Sequence, residues 1–453
     1  MKIRSFVLLS LLFSFCTSKN TAQELTNEEA LADLNQLKTN FESYHSGYTR
    51  YTSRDSLNYY FGEVEKRLSD CSTIDLYKEV TWILNKIRCG HTRASLPDPV
   101  QSAFIAANTF LPLSISILNN RMFVDGSLTE SISAGAEILS INDIPTNKIL
   151  REIYSHHSSD GYINSNKHRL TSRYFPYYFQ LYLADGASSY ELQLSDGEMV
   201  RIDGVNRDQL ERIRKPSPSA AELILSHEAD YSYLRIGSFG SYALDNNGYN
   251  YTRFLKKSFK ELKDRNAENL ILDLRGNGGG SDNYGALLVS YLLDQPFGYF
   301  ERIEVTDAYT GRGEVERVDN RRLMRSHSGL DIQQVQDDNF QGTLYLLTDG
   351  WTFSTAADVV SVLDNANRSV IIGEETGGGR FGNTSGASTT LHLSNSKISI
   401  NLPMWKYTTA LDEKKDNGRG VIPDIQLTPT IEQILTKEDV QLNYCLREIR
   451  KGR

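Results

Sequence analysis

The sequence has no excess of positive charge. Its 453 residues carry 49 Lys and Arg against 57 Asp and Glu, a net charge of −8. Nucleic-acid binding is therefore not expected, because it needs a basic surface. Beyond the first 22 residues, no stretch is long and apolar enough to cross a membrane. With 39% hydrophobic residues, the chain is expected to fold into two or three globular domains.

The first 22 residues have the pattern of a secretory signal. Lys2 and Arg4 precede an apolar run over residues 6–15, which is too short for an ordinary membrane-spanning helix, and cleavage is expected near Ala22. Cys16 offers a second interpretation, a lipid anchor, although the bulky Phe15 before it does not favour that signal. Either interpretation predicts an exported protein of the periplasm, the cell envelope or the medium.

Cysteine is scarce, which excludes a disulfide-rich scaffold. Removal of the signal would leave Cys71, Cys89 and Cys445, an odd number. A Cys71–Cys89 disulfide is compatible with an oxidising compartment, but spacing alone does not decide between this pair and free thiols.

Three regions follow the signal, and residues 23–105 are predicted to form a small helical domain. Thr26 and Glu29 make a capping box, and apolar residues then recur at helical spacing. A second apolar helix follows and is expected to end at Gly90, a residue typical of helix C-caps.

The second region, residues 106–214, changes to short strands. The stretch SAGAEILSINDIPTNKILREIY (133–154) reads as a strand, a turn at Asn142 and Asp143, and a helix from Asn147. It resembles the second half of a PDZ domain. That resemblance implies an α+β domain in which residues 110–117 form an edge that captures extended peptides. KPSPS (215–219) is then expected to be a linker.

The third region, residues 220–453, is predicted to be an α/β core. Apolar runs at 231–236, 269–274, 342–347 and 369–373 alternate with helical stretches. Such strands indicate a sheet covered by helices on both faces. The whole chain is therefore an α/β multi-domain protein.

Two stretches of this core point to chemistry. DLRGNGGG (273–280) follows a buried strand, and its glycines let backbone N–H groups face an anion. A phosphate loop is disfavoured because no Gly-Lys-Ser/Thr follows, which leaves an oxyanion hole or a plain turn. LTDGWTFSTAADVV (347–360) places Ser354 between a strand and a helix, as a nucleophile or as an ordinary N-cap.

Together these stretches resemble the carboxyl-terminal-processing, or tail-specific, serine protease family. The resemblance covers residues 231–427 and rests on four blocks in order: DLRGNGGG (273–280), TFS (352–354), GEETGG (373–378) and GVIPD (420–424). It implies a ClpP/crotonase-like core with Ser354 as nucleophile. It also implies an oxyanion hole made by Gly278, Gly279 and the backbone N–H of Thr355.

The lysine that many family members place 25 residues after the serine is missing. Position 379 is Gly, and Arg380 stays protonated and cannot accept a proton. His91, in Gly-His-Thr (90–92), is the candidate base. This motif resembles the tricorn-type branch of the family, which uses histidine. His392 is the alternative, although it lies within a predicted strand.

A third residue should orient the imidazole. In the tricorn-type branch a glutamate precedes the Gly-Val-x-Pro-Asp block, and here Asn417 stands where that acid is expected. Asp416 is the nearest carboxylate and is the predicted orienting residue. Glu413, Asp412 and Asn417 remain alternatives.

The resulting hypothesis is an exported serine endopeptidase that cleaves peptides or unfolded proteins through an acyl-enzyme, without a metal or another cofactor. A non-catalytic peptide- or ligand-binding protein on the same scaffold is the alternative, since retinoid-binding proteins resemble this family. Retention of both the Gly-His-Thr and the Thr-Phe-Ser motifs favours the enzyme. A nucleotide-binding enzyme is the least favoured reading of the glycine loop.

Overall fold

A computed structural model describes residues 24–215, 221–412 and 416–451. The predicted signal with Cys16, residues 216–219 of the expected linker, and Glu413 lie outside these residues. The described chain is a mixed α/β protein with several sheets. Within this described part, no helix combines the length and the apolar character needed to span a bilayer.

The N-terminal region is helical, as the sequence predicts. Thr26 caps the first helix in a capping box with Glu29, and Ser72 caps the third in the same way with Asp75. The third helix ends at Ile87 and its C-cap is Arg88, whose φ of 63° is left-handed, so the prediction that Gly90 forms this cap is wrong. The helices are Asn27–Tyr44, Arg54–Arg67, Thr73–Ile87 and Asp98–Ala107, and short strands lie at Glu24–Leu25, Cys71–Ser72 and Ala94–Ser95.

This helical region packs against the core of the chain through strand pairing and hydrogen bonds. Ala94–Ser95 pairs antiparallel with the start of the long strand Ser399–Thr409. Arg50 donates hydrogen bonds to three backbone carbonyls of the core, those of Phe381, Asn383 and Tyr407, at 2.7–3.1 Å. The helical region and the core therefore share packing, and a residue on one can be held firmly against the other.

The middle region contains an antiparallel sheet packed on helices. Asn142 and Asp143 both adopt left-handed backbone angles, φ of 49° and 61°, in the predicted turn. The helix after it begins at Thr146, one residue before the predicted start. The strands are Leu113–Leu118, Arg121–Ser127, Glu137–Ile141, Ile144–Pro145, Ser189–Leu194 and Met199–Asp203, and the helices are Thr146–Ser155, Ser165–Tyr182 and Arg207–Leu210.

The predicted peptide-binding edge is the outer strand of this sheet, Leu113–Leu118. Its backbone is already engaged by the chain itself. Lys215 Nζ donates to the carbonyl of Ile115 at 2.7 Å, and the amide of Ile117 donates to Ser172 Oγ at 3.1 Å. Asp125 holds Lys215 in place through an ion pair at 2.6 Å. Strand addition would have to displace these contacts.

The α/β core is built on a six-stranded sheet whose spatial order follows the chain. Successive residues of the central strands face opposite sides: Leu270 and Leu272 join one hydrophobic cluster, and Ile271 joins another. Both faces are thus covered, as predicted. The strands are Leu223–His227, Ser232–Ile236, Asn269–Asp273, Thr343–Thr348, Val370–Gly373 and Ile425–Gln426, and the covering helices include Tyr251–Asp264, Asp282–Ser290, Thr355–Asn365 and Val440–Lys451.

A second, antiparallel sheet lies beside this core sheet and carries the contact to Ala94–Ser95. Its strands are Val315–Val318, Arg321–Met324, Phe300–Val305, Ser399–Thr409 and Thr384–His392. Shorter elements complete the core: the strand pair Phe297–Gly298 and Ile332–Gln333, and the helices Ser241–Asn246 and Ile431–Leu435. Cys71, Cys89 and Cys445 are free thiols, so the Cys71–Cys89 disulfide is not formed.

Candidate active site

Ser354 occupies the N-cap position of the helix Thr355–Asn365 but does not cap it. Its side chain makes no capping hydrogen bond, and its backbone has φ 55° and ψ −133°. Such a conformation costs a non-glycine residue about 1–3 kcal/mol and persists only where neighbours enforce it. Phe353 does so here, since its amide donates to the carbonyl of Asn277 at 3.0 Å. The strained backbone therefore leaves the hydroxyl of Ser354 free of a capping hydrogen bond, and Ser354 lines a cavity.

Gly279 brings the glycine loop into contact with Ser354. A Cβ atom at position 279 would lie 2.7 Å from Ser354 Cβ and 3.0 Å from the amide nitrogen of Thr355. Its φ of 94° also favours glycine. However, its amide already donates to Asn277 Oδ1 at 2.9 Å. Gly279 therefore provides close approach, and it is not a free donor for an oxyanion as the resemblance implied.

Two amides remain available beside the hydroxyl. The N–H groups of Gly278 and Thr355 have no hydrogen-bond partner among the described residues. Gly278 is exposed and lines the same cavity as Ser354, and Thr355 is the first residue of a helix, where N–H groups are unpaired and the potential is positive. These two donors can hold a negative oxygen.

His91 enters the site from the N-terminal region. It lines a cavity of about 570 Å³ together with Ser354 and Gly278. Its ring packs on that of Phe353, with centroids 4.5 Å apart. Gly90 permits this contact, because a Cβ there would lie 2.8 Å from the Phe353 ring. The alternative base, His392, ends the strand Thr384–His392 on the surface and contacts Ser399 Oγ at 2.9 Å.

The imidazole of His91 has the protonation state that a base needs. Burial lowers its pKa below the ordinary 6.5, while the nearby carboxylates Asp160 and Asp282 oppose this shift. The ring is therefore neutral at neutral pH. Nδ1 is buried without a hydrogen-bond partner among the described residues. Ser354 Oγ likewise has no hydrogen-bond partner among the described residues. The hydrogen bond between a nucleophile and its base is often long without substrate and shortens when substrate binds.

The carboxylate beside His91 is Asp160, which no motif of the sequence indicates. A carboxylate oxygen of Asp160 and a ring nitrogen of His91 lie within 4.8 Å of each other. Asp160 is buried, and its Oδ1 accepts a hydrogen bond from the amide of Gly90 at 2.7 Å. It belongs to the loop between the helices Thr146–Ser155 and Ser165–Tyr182. Nothing in the spacing of the sequence connects this loop to Gly90 and His91.

The predicted orienting residue, Asp416, lies elsewhere. It is exposed, its Oδ1 accepts from the amide of Gly418 at 2.8 Å, and its charge acts on Arg50 and Tyr51. Asp412 and Asn417 are exposed as well. The loop still reaches the site indirectly, because the carbonyl of Gly418 accepts from Tyr162, two residues after Asp160, at 2.7 Å.

Position 379, where the lysine of the Ser–Lys dyad is missing, faces Asp160. The amide of Gly379 donates to Asp160 Oδ2 at 3.4 Å. A Cβ at 379 would lie 3.3 Å from the hydroxyl of Tyr51 and 3.7 Å from Asp160 Cβ. Arg380 is turned to Asp364 in an ion pair at 2.6 Å. Tyr51 and Asp160 thus occupy the space beside position 379.

Comparisons with known proteins bear on the family and the fold. Residues 230–427 match peptidase family S41. The structure of mature CPAF complexed with lactacystin aligns with a TM-score of 0.66 and 16% identity, covering 94% of this chain and 98% of that one. Mature CPAF alone gives 0.60 and 16%, covering 91% and 94%. A photosystem II D1 C-terminal processing protease, at 0.40 and 16% with coverage of 89% and 94%, is too distant to add to the argument.

The CPAF alignments extend over nearly the whole chain and show a shared fold. The family match covers the strands, the glycine loop and the helix that present Ser354. Residues 230–427 therefore form a peptidase family S41 domain, and the chain is a serine-type peptidase.

Proposed function

We propose that this protein is an exported serine endopeptidase in which Ser354 is the nucleophile, His91 the general base and Asp160 the residue that orients His91. The observation that carries the proposal is the uncapped hydroxyl of Ser354 in one cavity with the neutral imidazole of His91. Export rests on the pattern of the first 22 residues.

The first half of the reaction forms an acyl-enzyme. Ser354 Oγ attacks the carbonyl carbon of the peptide bond, and its proton passes to His91. The carbonyl oxygen becomes negative, and the amides of Gly278 and Thr355 stabilise it. The C–N bond then breaks, His91 returns the proton to the leaving amine, and an ester remains on Ser354.

The second half releases the acyl group. A water molecule gives a proton to His91 and attacks the ester carbon, and the same two amides hold the oxyanion again. The C–O bond to Ser354 breaks and the proton on His91 returns to Oγ. The products are a new carboxyl end, a new amino end and the free enzyme.

Asp160 acts on His91 without touching the substrate. Its negative charge, within 4.8 Å of a ring nitrogen, favours the imidazolium that forms in both halves of the reaction. The amide of Gly90 fixes this carboxylate from the residue that precedes His91. The base and its orienting residue are therefore positioned by one local contact.

The substrates are proposed to be extended peptide segments. The cavity at Ser354 has a volume of about 570 Å³, so a long substrate must extend beyond it along the surface. The edge strand Leu113–Leu118 supports peptide capture by strand addition once Lys215 leaves the carbonyl of Ile115. Because CPAF was solved in complex with lactacystin, this compound is a suitable first inhibitor for testing the site.

The experiment is peptide cleavage and fluorophosphonate labelling of Ser354→Ala. We expect loss of labelling and a fall in kcat of several orders of magnitude, about 10⁴-fold or more, because no other nucleophile replaces the hydroxyl. Ser385→Ala is the matched control, since Ser385 lines the same cavity but its hydroxyl donates to Asn383 Oδ1. Equal turnover by the wild type and Ser354→Ala would overturn the proposed mechanism.

A further inference from the structure

Cys89, His91 and Asp160 form a cluster in which one ligand atom from each residue lies within 4.8 Å of the other two. A thiol sulfur, an imidazole nitrogen and a carboxylate oxygen are the three donor types that proteins use for zinc. We propose that this cluster binds a Zn²⁺ ion, which switches the peptidase off by occupying the imidazole that Ser354 needs. The inhibitory part of this inference rests on the proposed function, whereas the binding site does not.

The separation of the donor atoms suits a tetrahedral ion. Zn–S distances of about 2.3 Å and Zn–N and Zn–O distances of about 2.0–2.2 Å place neighbouring ligand atoms roughly 3.3–3.7 Å apart. The observed limit of 4.8 Å is within about 1.5 Å of that spacing, a distance that side-chain rotation covers. Cys89 and His91 flank Gly90, whose amide holds Asp160 at 2.7 Å, so the backbone already holds the three residues together.

The three donor groups differ in how far they are engaged, and both oxygens of Asp160 accept from backbone amides, those of Gly90 at 2.7 Å and Gly379 at 3.4 Å. His91 Nδ1 is buried with no hydrogen-bond partner among the described residues, which is unfavourable for a polar atom. The Cys89 thiol donates to the carbonyl of Thr384 at 3.4 Å, and Thr92 and the backbone of His91 also hydrogen-bond its sulfur. A metal ion would satisfy the imidazole nitrogen, and the donors around Cys89 would stabilise the thiolate that binds the ion. The soft thiol and the imidazole select zinc over magnesium or calcium, which prefer oxygen ligands.

An ion can reach the cluster from the substrate cavity. His91 is half-buried and lines that cavity with Ser354. Three protein ligands leave a fourth position of the tetrahedron for water on this open side. Binding would release the thiol proton to solvent. With zinc on one ring nitrogen, the other nitrogen of a neutral imidazole carries the proton, so His91 could no longer accept the proton of Ser354.

The binding test uses the full-length Ser354→Ala protein, so that no readout depends on activity. Cobalt(II) is titrated as a spectroscopic substitute for zinc. We expect one equivalent to bind, with thiolate-to-cobalt absorption in the near ultraviolet and intense visible bands of a four-coordinate ion. Adding Cys89→Ala should remove the thiolate band and weaken affinity at least about 100-fold, whereas Cys445→Ala, at another buried thiol, should change neither.

A second variant guards against misfolding of Cys89→Ala. Asp160→Asn in the Ser354→Ala background keeps the side-chain volume and should also lose tight binding, with the thermal midpoint measured for every protein. If the spectrum and affinity persist in both ligand variants, the site proposal is overturned. It is likewise overturned if cobalt binds the Ser354→Ala protein no more tightly than it binds free cysteine.

The inhibition test uses active protein. Micromolar zinc should suppress peptide turnover of the wild type and of Cys445→Ala, and a chelator should restore it. In Cys89→Ala the ratio of rates with and without zinc should stay near 1, whatever the rate of that variant. Equal inhibition of all three proteins would overturn the switch. Failure of the peptidase mechanism is separately visible, because Ser354→Ala would then still cleave peptide.

Discussion

At the scale of single residues, the most informative position is Asp160. Asp160→Asn keeps the shape of the side chain and its capacity to accept from the amide of Gly90, but removes the charge that favours protonated His91. We expect kcat to fall on the order of 10²- to 10⁴-fold with a small change in KM, as is typical for loss of a triad carboxylate. Steady-state kinetics across pH 6–9 measures this, and Asp160→Glu should recover part of the rate.

Asp416→Asn is the matched comparison for that variant. Asp416 is exposed and contacts its own loop at the amide of Gly418, so its kcat should stay within about twofold of the wild type. The reverse ranking, with Asp416→Asn inactive and Asp160→Asn unaffected, would return the orienting role to the residue expected from the sequence.

The two residues proposed to react, Ser354 and His91, could be predicted from the sequence, while the proposed orienting residue, Asp160, could not. Because position 379 is Gly instead of Lys, the base must come from elsewhere in the chain, and a candidate histidine lies about 260 residues before Ser354. The Gly-His-Thr motif then identifies His91. Asp160 carries no comparable signal, because its distance to His91 is set by the packing of a loop from the middle region against Gly90. Contacts of this kind depend on tertiary structure and leave no local pattern.

At the scale of elements, the glycine loop makes a prediction of its own. Gly279→Ala would place a Cβ 2.7 Å from Ser354 Cβ at a φ of 94°. We expect the loop and the nucleophile to move apart, with a fall in kcat of about 10²-fold or more and a loss of stability of about 1–3 kcal/mol. Peptide kinetics and urea unfolding measure the two effects.

Gly278→Ala is the control for the glycine loop. A Cβ at position 278 would meet no atom within 4 Å, and the amide proposed to hold the oxyanion is retained. Stability should therefore change by less than about 1 kcal/mol, and kcat should fall far less than in Gly279→Ala. If the two variants behave alike, close contact between position 279 and Ser354 is not what the loop provides.

Elements that depend on local sequence could be predicted, and contacts between distant elements could not. Strand periodicity correctly predicted the four central strands of the core and the turn at Asn142 and Asp143, because both depend on local sequence. The preference of glycine for helix C-caps wrongly assigned Gly90 to a cap, since the need for glycine there comes from the distant Phe353 ring. Strand periodicity also could not show that Lys215 engages the outer strand of the middle region.

At the scale of the whole molecule, the proposed active site exists only where three regions meet. His91 comes from the N-terminal helices, Asp160 from the middle region and Ser354 from the α/β core. Arg50, with its three hydrogen bonds to core carbonyls, and the strand pairing of Ala94–Ser95 hold the first region in place. Catalysis should therefore depend on the integrity of these contacts as well as on the reacting groups.

This packing also predicts how the stability of the protein depends on pH. Burial lowers the pKa of His45 to about 3 and that of His157 to about 3, from an ordinary value of 6.5. Each residue therefore takes up a proton on unfolding at any pH between those values, so acid favours the unfolded chain. Their contribution to stability should be lost as pH falls from about 6.5 towards 3, at roughly 1.4 kcal/mol per pH unit for each histidine.

Other groups titrate in the same range, so a variant must isolate the contribution of one histidine. His45→Gln retains a partner for Thr92, whose hydroxyl lies 2.8 Å from His45 Nε2, but cannot be protonated. Urea unfolding between pH 7.5 and 4 should show a shallower loss of stability in His45→Gln, by about one proton's worth of slope. His392→Gln, at an exposed histidine, should leave the slope unchanged. Equal slopes in the wild type and His45→Gln would mean that His45 is protonated in the folded protein, and hence that its buried surroundings admit water.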